Sequence, residues 1–445
     1  MFWSKPLQFH RHTLSNGLEI IAECNGDAHS AALGFFVRTG SRDENDKIAG
    51  VSHFLEHMLF KGTPTRSADD VNREFDEMGA HYNAFTNEEN TVYYAAVLPE
   101  YLGRAAELWA DVMRPSLREE DFNTEKKVII EEIKMYEDQP PFCADEKCRA
   151  AFFGSHPLSR SVLGTERSIA DLPVEAMRDY FERRYSPGNL LLAAVGKVDF
   201  DDLVKTAEKH CGHWTPVAPS FSPLPNGEGP GVRAEASNTL TSSNNPFRTI
   251  TLPTPHEKFL VEHKESAAQQ YVLQFAPAPA AEDAQRHAAK LLSVILGDDS
   301  GSRLYWELVD PGLAEQATLG HGEYQGAGVL MTYMSCDPER AEENLQTIHD
   351  IYRRAQTEGV TEEELAQAKS KVRSHLVLSG ERPRGRLFPV GGDWVYRREY
   401  RPVELELETF AAITVAEVNA VLRQYPLAKC TTLTIGPLEK VEQPK

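Results

Sequence analysis

The sequence predicts an α+β fold of two homologous domains, each an antiparallel sheet with helices packed on one face. Three observations carry that expectation. First, 445 residues exceed a single comfortable core, so two domains of roughly 200 residues each are the natural division. Second, the two halves repeat one order of segments. In the first half "YYAAVLPEYLGRAAELWADVM" runs from an apolar strand into a helix, and "LREEDFNTEKKVIIEEIK" follows as an amphipathic helix. In the second, "TYMSCDPERAEENLQTIHDIY" and "VTEEELAQAKSKVRSHLV" repeat that order and spacing. Each half then closes on a helix followed by a strand, in "VEAMRDYFERRYSPGNLLLAAVGKV" and "VAEVNAVLRQYPLAKCTTLTIGPL". Third, the composition breaks between them. Residues 216–255 are rich in proline, glycine and polar Ser/Thr/Asn, with too little apolar surface to offset the entropy of ordering. The expected organisation is therefore a first domain over 1–215, a flexible linker over 216–255 and a second domain over 256–445.

Short strands alternate with helices, and a hairpin is expected from His81–Thr86 to Thr91–Val97. Apolar residues make up 41% of the chain and charged residues 26%, which fits an ordinary globular protein. No apolar run reaches the roughly 18 residues of a membrane span. The N-terminus lacks the apolar core and cleavage site of a secretory signal, so a cytoplasmic location is expected. Six scattered cysteines agree with reduced thiols. Cys143 and Cys148 are the nearest pair, but their spacing fits no common zinc motif. A formal charge of −20 argues against nucleic acid as a partner. It serves solubility, or an acidic cavity that draws in basic peptides.

The chemistry concentrates in "GVSHFLEHMLFKGTP", Gly50 to Pro64. Val51, Phe54, Leu55, Met58 and Leu59 recur at the helical period, and Gly62 with Pro64 supplies a stop. On this short, largely buried helix His53 and His57 are one turn apart on one face. Two imidazoles so placed can hold one zinc ion. Glu56 lies beside that face, where a carboxylate can take a proton from water. The order H-x-x-E-H reverses the H-E-x-x-H arrangement. The plain alternative is a core helix with hydrogen-bonded histidines. Two imidazoles and a carboxylate on one buried turn weigh against it, because buried polar groups need partners. A catalytic zinc needs a third protein ligand. The downstream helix offers Glu125, Glu131 and Glu132, and the residues alone do not choose among them.

"HFLEHMLFKGT", "GAHYNAFTNEENTVYY" and "TEKKVIIEEIKMYEDQP" together resemble the pitrilysin/insulysin family of zinc peptidases with the inverted motif. Within it the chain is most similar to the short bacterial processing proteases and the beta subunit of the mitochondrial processing peptidase. The resemblance implies two homologous domains facing across a cleft, one zinc ion per chain and a peptide substrate. It makes Glu132 the third ligand, Glu56 the catalytic base and Glu125 a supporting carboxylate two helical turns before Glu132. Glu131 is then dispensable. Asn83 and Ala84 would line the bound peptide, with Phe85 near the metal. The second half has no H-x-x-E-H and becomes scaffold and cleft wall.

The sequence departs from the family in that second half. Members that work alone carry an Arg and a Tyr there that grip the substrate carbonyl. The Tyr position here is Glu315, and the Arg is replaced by an apolar residue near Leu308 or Val309. Arg303 belongs to another position and a structural contact. An acid is unfavourable where negative charge develops. Two arrangements answer this: a heterodimer in which a sister chain supplies the Arg/Tyr pair, or a homodimer with a local substitute such as Tyr324. The implied function is a zinc metalloendopeptidase for unfolded or extended peptides, the zinc-bearing subunit of a dimer. The alternative is a non-catalytic assembly subunit of a processing-peptidase-like complex.

Overall fold

The protein is described here from a computed structural model over residues 7–217, 239–240, 248 and 250–445. The first half contributes β1 (Gln8–Thr13), β2 (Glu19–Cys24), β3 (Ala31–Val37), β4 (His81–Thr86), β5 (Thr91–Val97) and β6 (Leu190–Gly196). Its helices are α1 (Val51–Leu59), α2 (Ala68–Glu77), α3 (Leu102–Val112), α4 (Glu119–Asp138), α5 (Ala144–Phe153), α6 (Glu166–Asp171), α7 (Val174–Arg184) and α8 (Phe200–Cys211). A two-residue ribbon, β7 (Thr239–Leu240) with β8 (Ile250–Thr251), follows. The second half holds β9 (Phe259–His263), β10 (Gln270–Ala278), β11 (Gln316–Tyr324), β12 (Ala327–Cys336) and β13 (Thr431–Gly436). Its helices are α9 (Arg286–Gly297), α10 (Ala341–Glu358), α11 (Glu362–Gly380), α12 (Pro383–Arg397), α13 (Val403–Ala412) and α14 (Val415–Gln424).

The sheet orders are β1-β2-β6-β3-β5-β4 and β11-β12-β10-β13-β9. Read from β4 and from β11, five strands correspond one to one. The correspondence includes orientation: β2 runs parallel to β6 and β9 parallel to β13, while every other pair is antiparallel. The predicted duplication is therefore present in the topology. The sheets are mixed rather than wholly antiparallel. The expected hairpin has the predicted bounds, and β4 is an edge strand.

The expectation of helices on one face holds for each half's own helices. Each half covers one face of its sheet with its own helices, and the other face receives a helix from the opposite half. From the second half, α12 lays Leu387, Val390, Trp394 and Val395 on Phe36, Leu191 and Val195 of the first sheet. Gly391 permits the approach, since a Cβ there would come within 2.2 Å of the Phe36 ring. In return, α5 inserts Cys148, Phe152 and Phe153 against Tyr271, Leu273 and Phe275 of the second sheet. The cause is visible in the strands. "AALGFFV" of β3 and "LLLAAVG" of β6 are buried at every position. Such continuous apolar runs require cover on both faces.

A buried polar cluster ties the halves together. Arg42 Nη1 donates to Glu89 at 2.7 Å and to the Gln325 carbonyl at 2.7 Å. Most of the predicted linker lies outside the described residues, but Arg248 within it is only 6% exposed. Its guanidinium donates to Asp43 at 2.9 and 2.5 Å and to Gln325 Oε1 at 2.9 Å. A buried carboxylate left without its cation is costly, so Arg248→Met should destabilise the chain by about 3–5 kcal/mol. Urea unfolding curves would read this as a lower midpoint, and an unchanged midpoint would contradict it.

Candidate metal centre

Helix α1 is fixed at its start and along its flank. Gly50 takes φ +89°, and a side chain there would strike the Leu163 carbonyl at 2.4 Å. The Glu44 carboxylate accepts the amide hydrogens of Gly50 at 2.7 Å and Ser52 at 2.8 Å, occupying first-turn donors that lack helical partners. Val51, Phe54, Leu55, Met58 and Leu59 are buried as their periodicity predicts. Phe54 stacks on Phe122 of α4 at 4.7 Å between centroids, locking the two helices together.

On α4 the buried stripe is Phe122, Glu125, Ile129 and Ile133. Two carboxylates on that side of the helix meet α1. Glu132 Oε2 lies 3.9 Å from His53 Nε2 and 3.6 Å from His57 Nε2. The three donor atoms lie within 4.8 Å of one another. Glu125 Oε1 accepts from His57 Nδ1 at 2.9 Å, and Glu125 Oε2 is 2.5 Å from Lys61 Nζ. With its hydrogen held on Nδ1, the His57 ring turns the lone pair of Nε2 toward Glu132. Glu131 points outward to Lys134 at 2.9 Å. The structure thus separates the two adjacent acids, one inward and one outward.

The donor set fits a zinc ion. Glu132 Oε2 is buried without a hydrogen-bond partner among the described residues although it faces both imidazoles. A buried carboxylate oxygen otherwise finds a donor. Two imidazole nitrogens and one carboxylate oxygen are a ligand set that zinc takes at open sites. Burial, reinforced by the neighbouring His57, holds the His53 imidazole down at about 3, in the neutral form that ligation needs. Burial also opposes the charge of His57, but the Glu125 bond and the surrounding carboxylates carry it above the ordinary histidine value. Glu125 lies below the ordinary carboxylate range: burial raises it, but hydrogen bonds from His57 and Lys61 outweigh that.

Glu56 stands beside this cluster and is raised by burial against the hydrogen bond it accepts from Thr86. Thr86 Oγ1 donates to Glu56 Oε2 at 2.6 Å. Thr86 is the last residue of edge strand β4, so that edge runs up to the candidate centre. Asn83 is exposed and Ala84 buried along the same strand. The expectation for Phe85 is corrected. Alternation puts its ring on the opposite face from Thr86, where it meets Phe388 of α12 at 5.7 Å. Thr86, Lys61 and Glu44 were missed by the sequence reading. For Thr86 the strand period supplied a signal, because it shares a face with Ala84.

In the second half, Arg303 makes the expected structural contact, donating to both Glu364 oxygens at 2.7 and 2.9 Å. Leu308 is fully buried in a π-helical turn, Tyr305–Val309. Val309 and Glu315 line one cavity of about 510 Å3 together with Tyr271, Tyr333 and Pro141. Tyr324 instead packs edge-to-face on Phe153 at 6.0 Å, and no contact among the described residues joins it to the imidazoles.

The fold and the site define a two-lobed α+β protein whose first lobe carries an inverted His/Glu/His motif and whose second lobe repeats the fold without it. Residues 19–166 match the family model described as Insulinase (Peptidase family M16), and 171–372 match Peptidase M16 inactive domain. A protein named an uncharacterized zinc protease from Mycobacterium tuberculosis is 33% identical over 429 residues, spanning 96% of this chain and 93% of that relative. Another so named from Bacillus subtilis is 30% identical, spanning 93% and 95%. A crystal structure of a protease from Helicobacter pylori superposes with a TM-score of 0.85 at 20% identity, over 97% of this chain and 100% of that one. The chain belongs to the insulinase family, peptidase family M16. No helix among the described residues is long and apolar enough to cross a membrane.

The Glu44 cap gives α1 a dependence on pH. Burial raises Glu44 to about 7, above its unfolded value of 4.5, despite the amides it accepts. A raised carboxylate stabilises the fold below the unfolded value and loses that contribution as pH climbs through the folded one. Glu44→Gln removes the titration, so its melting temperature relative to the parent should rise steadily between about pH 4.5 and 7. Parallel thermal melts across that window check it, and a constant difference would refute the assignment.

Proposed function

We propose that this chain is a zinc-dependent metalloendopeptidase acting on unfolded or extended peptides, and that it is the zinc-bearing subunit of a dimer. The observation that carries the reading is the convergence of His53, His57 and Glu132 beside Glu56, on a chain whose relatives bear the name zinc protease. His53 and His57, through Nε2, and Glu132 would hold the ion, one per chain. Zinc, when bound, supplies Lewis acidity that makes a water acidic and polarises the scissile carbonyl. Glu56 takes the proton of the attacking water and returns it to the amine nitrogen as the C–N bond breaks. Thr86 keeps that carboxylate in place through its hydroxyl. Glu125 keeps the His57 ring turned to its task.

Strand β4 supports the choice of substrate. Its outer edge has no partner strand among the described residues, so an extended peptide can add there by backbone hydrogen bonds along Asn83 and Ala84. Glu315 supports the dimer. Its carboxylate accepts from Gln269 Nε2, and an anion there cannot stabilise a developing oxyanion. A second chain would supply the positive and phenolic groups.

Glu56→Gln should retain zinc and lower hydrolysis of a fluorogenic peptide by about 10²–10⁴-fold. Glu132→Gln should instead lower zinc content, measured by elemental analysis after dialysis. Full zinc in the Glu132→Gln chain would remove the ligand assignment. Chelator-insensitive hydrolysis would contradict the zinc dependence, and no hydrolysis in the presence of any second subunit would favour a non-catalytic assembly role. Full activity from a chain that light scattering shows to be monomeric would sink the subunit reading.

A further inference from the structure

The duplicated topology gives every element of the metal centre a counterpart. Strand β11 stands where β4 does, α11 where α4 does, and α9 follows the central strand β10 as α1 follows β3. In the first half α1, α4 and β4 converge on two imidazoles and two carboxylates. In the second, α9, α11 and β11 converge on a cavity of about 420 Å3, whose remaining walls come from α12 and α13. Arg286, Lys290 and His321 line it, with Arg397 opposite. A second cavity of about 480 Å3 shares Arg286, His287 and Arg397 with it.

Two cations that line this space, Arg286 and Lys290, form no direct ion pair among the described residues, while Glu323, Glu406 and Asp393 act on Arg286 from farther off. Glu406 is held by Arg401 and lies 3.4 Å from His287 Nε2. Asp393 and Glu323 are held by Arg397, and Arg386 is held by Glu23 at 2.7 Å. The guanidinium of Arg286 makes no hydrogen bond or ion pair among the described residues, although the residue is only 8% exposed. Lys290 lies one turn along the same helix face, likewise without an ion pair among the described residues. Arg397 Nε is buried with no hydrogen-bond partner among the described residues. Arg286 also opens α9, whose dipole adds to the positive field, although Asp283 accepts the amides of Gln285 and Arg286 through its carboxylate and its carbonyl. His321, on the facing strand, registers that field: burial, aided by the charges of Lys290 and Arg286, holds it at about 4.

We infer that this cavity is an oxyanion-binding site, in which Arg286 and Lys290 receive a carboxylate or phosphate group at the place where the first half gathers ligands for a cation. Burial works against the charge of Arg286, and Glu323, Glu406 and Asp393 support it without a direct hydrogen bond, so an anion that reaches the guanidinium makes charge-assisted hydrogen bonds in a site of reduced dielectric. Arg286 supplies the planar fork and Lys290 the point charge at the mouth.

Isothermal titration of the purified full chain tests this with inorganic phosphate in one arm, and with N-acetylglycine against its amide in the other. One anion per chain should bind, and Arg286→Gln should weaken it by roughly tenfold or more. Lys290→Gln, at an exposed position, should weaken it by a smaller factor, and Arg286→Lys should restore part of the loss. Zinc content should stay unchanged in all three, which separates this site from the metal centre. Preference for phosphate identifies a free anion as occupant. Preference for the acid over its amide identifies a carboxylate terminus. Titration by neither anion, or equal affinity in the parent, Arg286→Gln and Lys290→Gln chains, would overturn the inference.

Discussion

The hydrogen bond between His57 Nδ1 and Glu125 is the constraint on which the rest of the site depends. It forms only because α1 and α4 are locked through Phe54 and Phe122, and it orients the ring that faces Glu132. A shift of one residue in the register of α4 would bring Glu131 inward and send Glu132 to solvent. The apolar stripe of Phe122, Ile129 and Ile133 prevents that slip, since sliding the helix would expose it. Hydrophobic packing thus decides which of two adjacent acids faces the imidazoles. Glu44 and Gly50 play the corresponding part for α1, fixing where its first turn begins.

Much of this was legible in the residues. The helix of His53 and His57 and the hairpin of β4 and β5 follow from periodicity, and both stand at the expected bounds. The choice of Glu132 over Glu131 came from the family resemblance, and the packing of α4 gives its physical reason. Positions 122, 125, 129 and 133 trace one helical stripe, with 132 beside it and 131 away from it. Phe85 was misplaced because the strand period was not applied to it. The exchange of α5 and α12 between halves was harder to see. The fully apolar β3 and β6 announced cover on both faces, but nothing local in a strand says which distant helix provides it. Arg248 sits in a stretch whose composition reads as loose, and only tertiary context gives it Asp43 and Gln325 as partners.

Reciprocal exchange of helices and a buried ionic cluster make the two lobes one folding unit rather than two tethered ones. That matters for a site at a sheet edge. Phe85 on β4 is backed by Phe388 from the other half, so the edge offered to a peptide keeps its shape only while α12 is seated. The second lobe, though without the motif, therefore helps to hold the edge strand beside the candidate centre. Its own counterpart cavity keeps the layout of the metal centre and lines it with Arg286, Lys290 and Arg397 beside Glu323, Asp393 and Glu406.

The most direct measurement is anomalous scattering at the zinc edge from crystals of the zinc-loaded chain. The account predicts one peak per chain, about 2.0–2.2 Å from His53 Nε2, His57 Nε2 and a Glu132 oxygen, with Glu125 hydrogen-bonded to His57 behind it. A peak bound elsewhere, or one held by both histidines with Glu132 turned away, would contradict it.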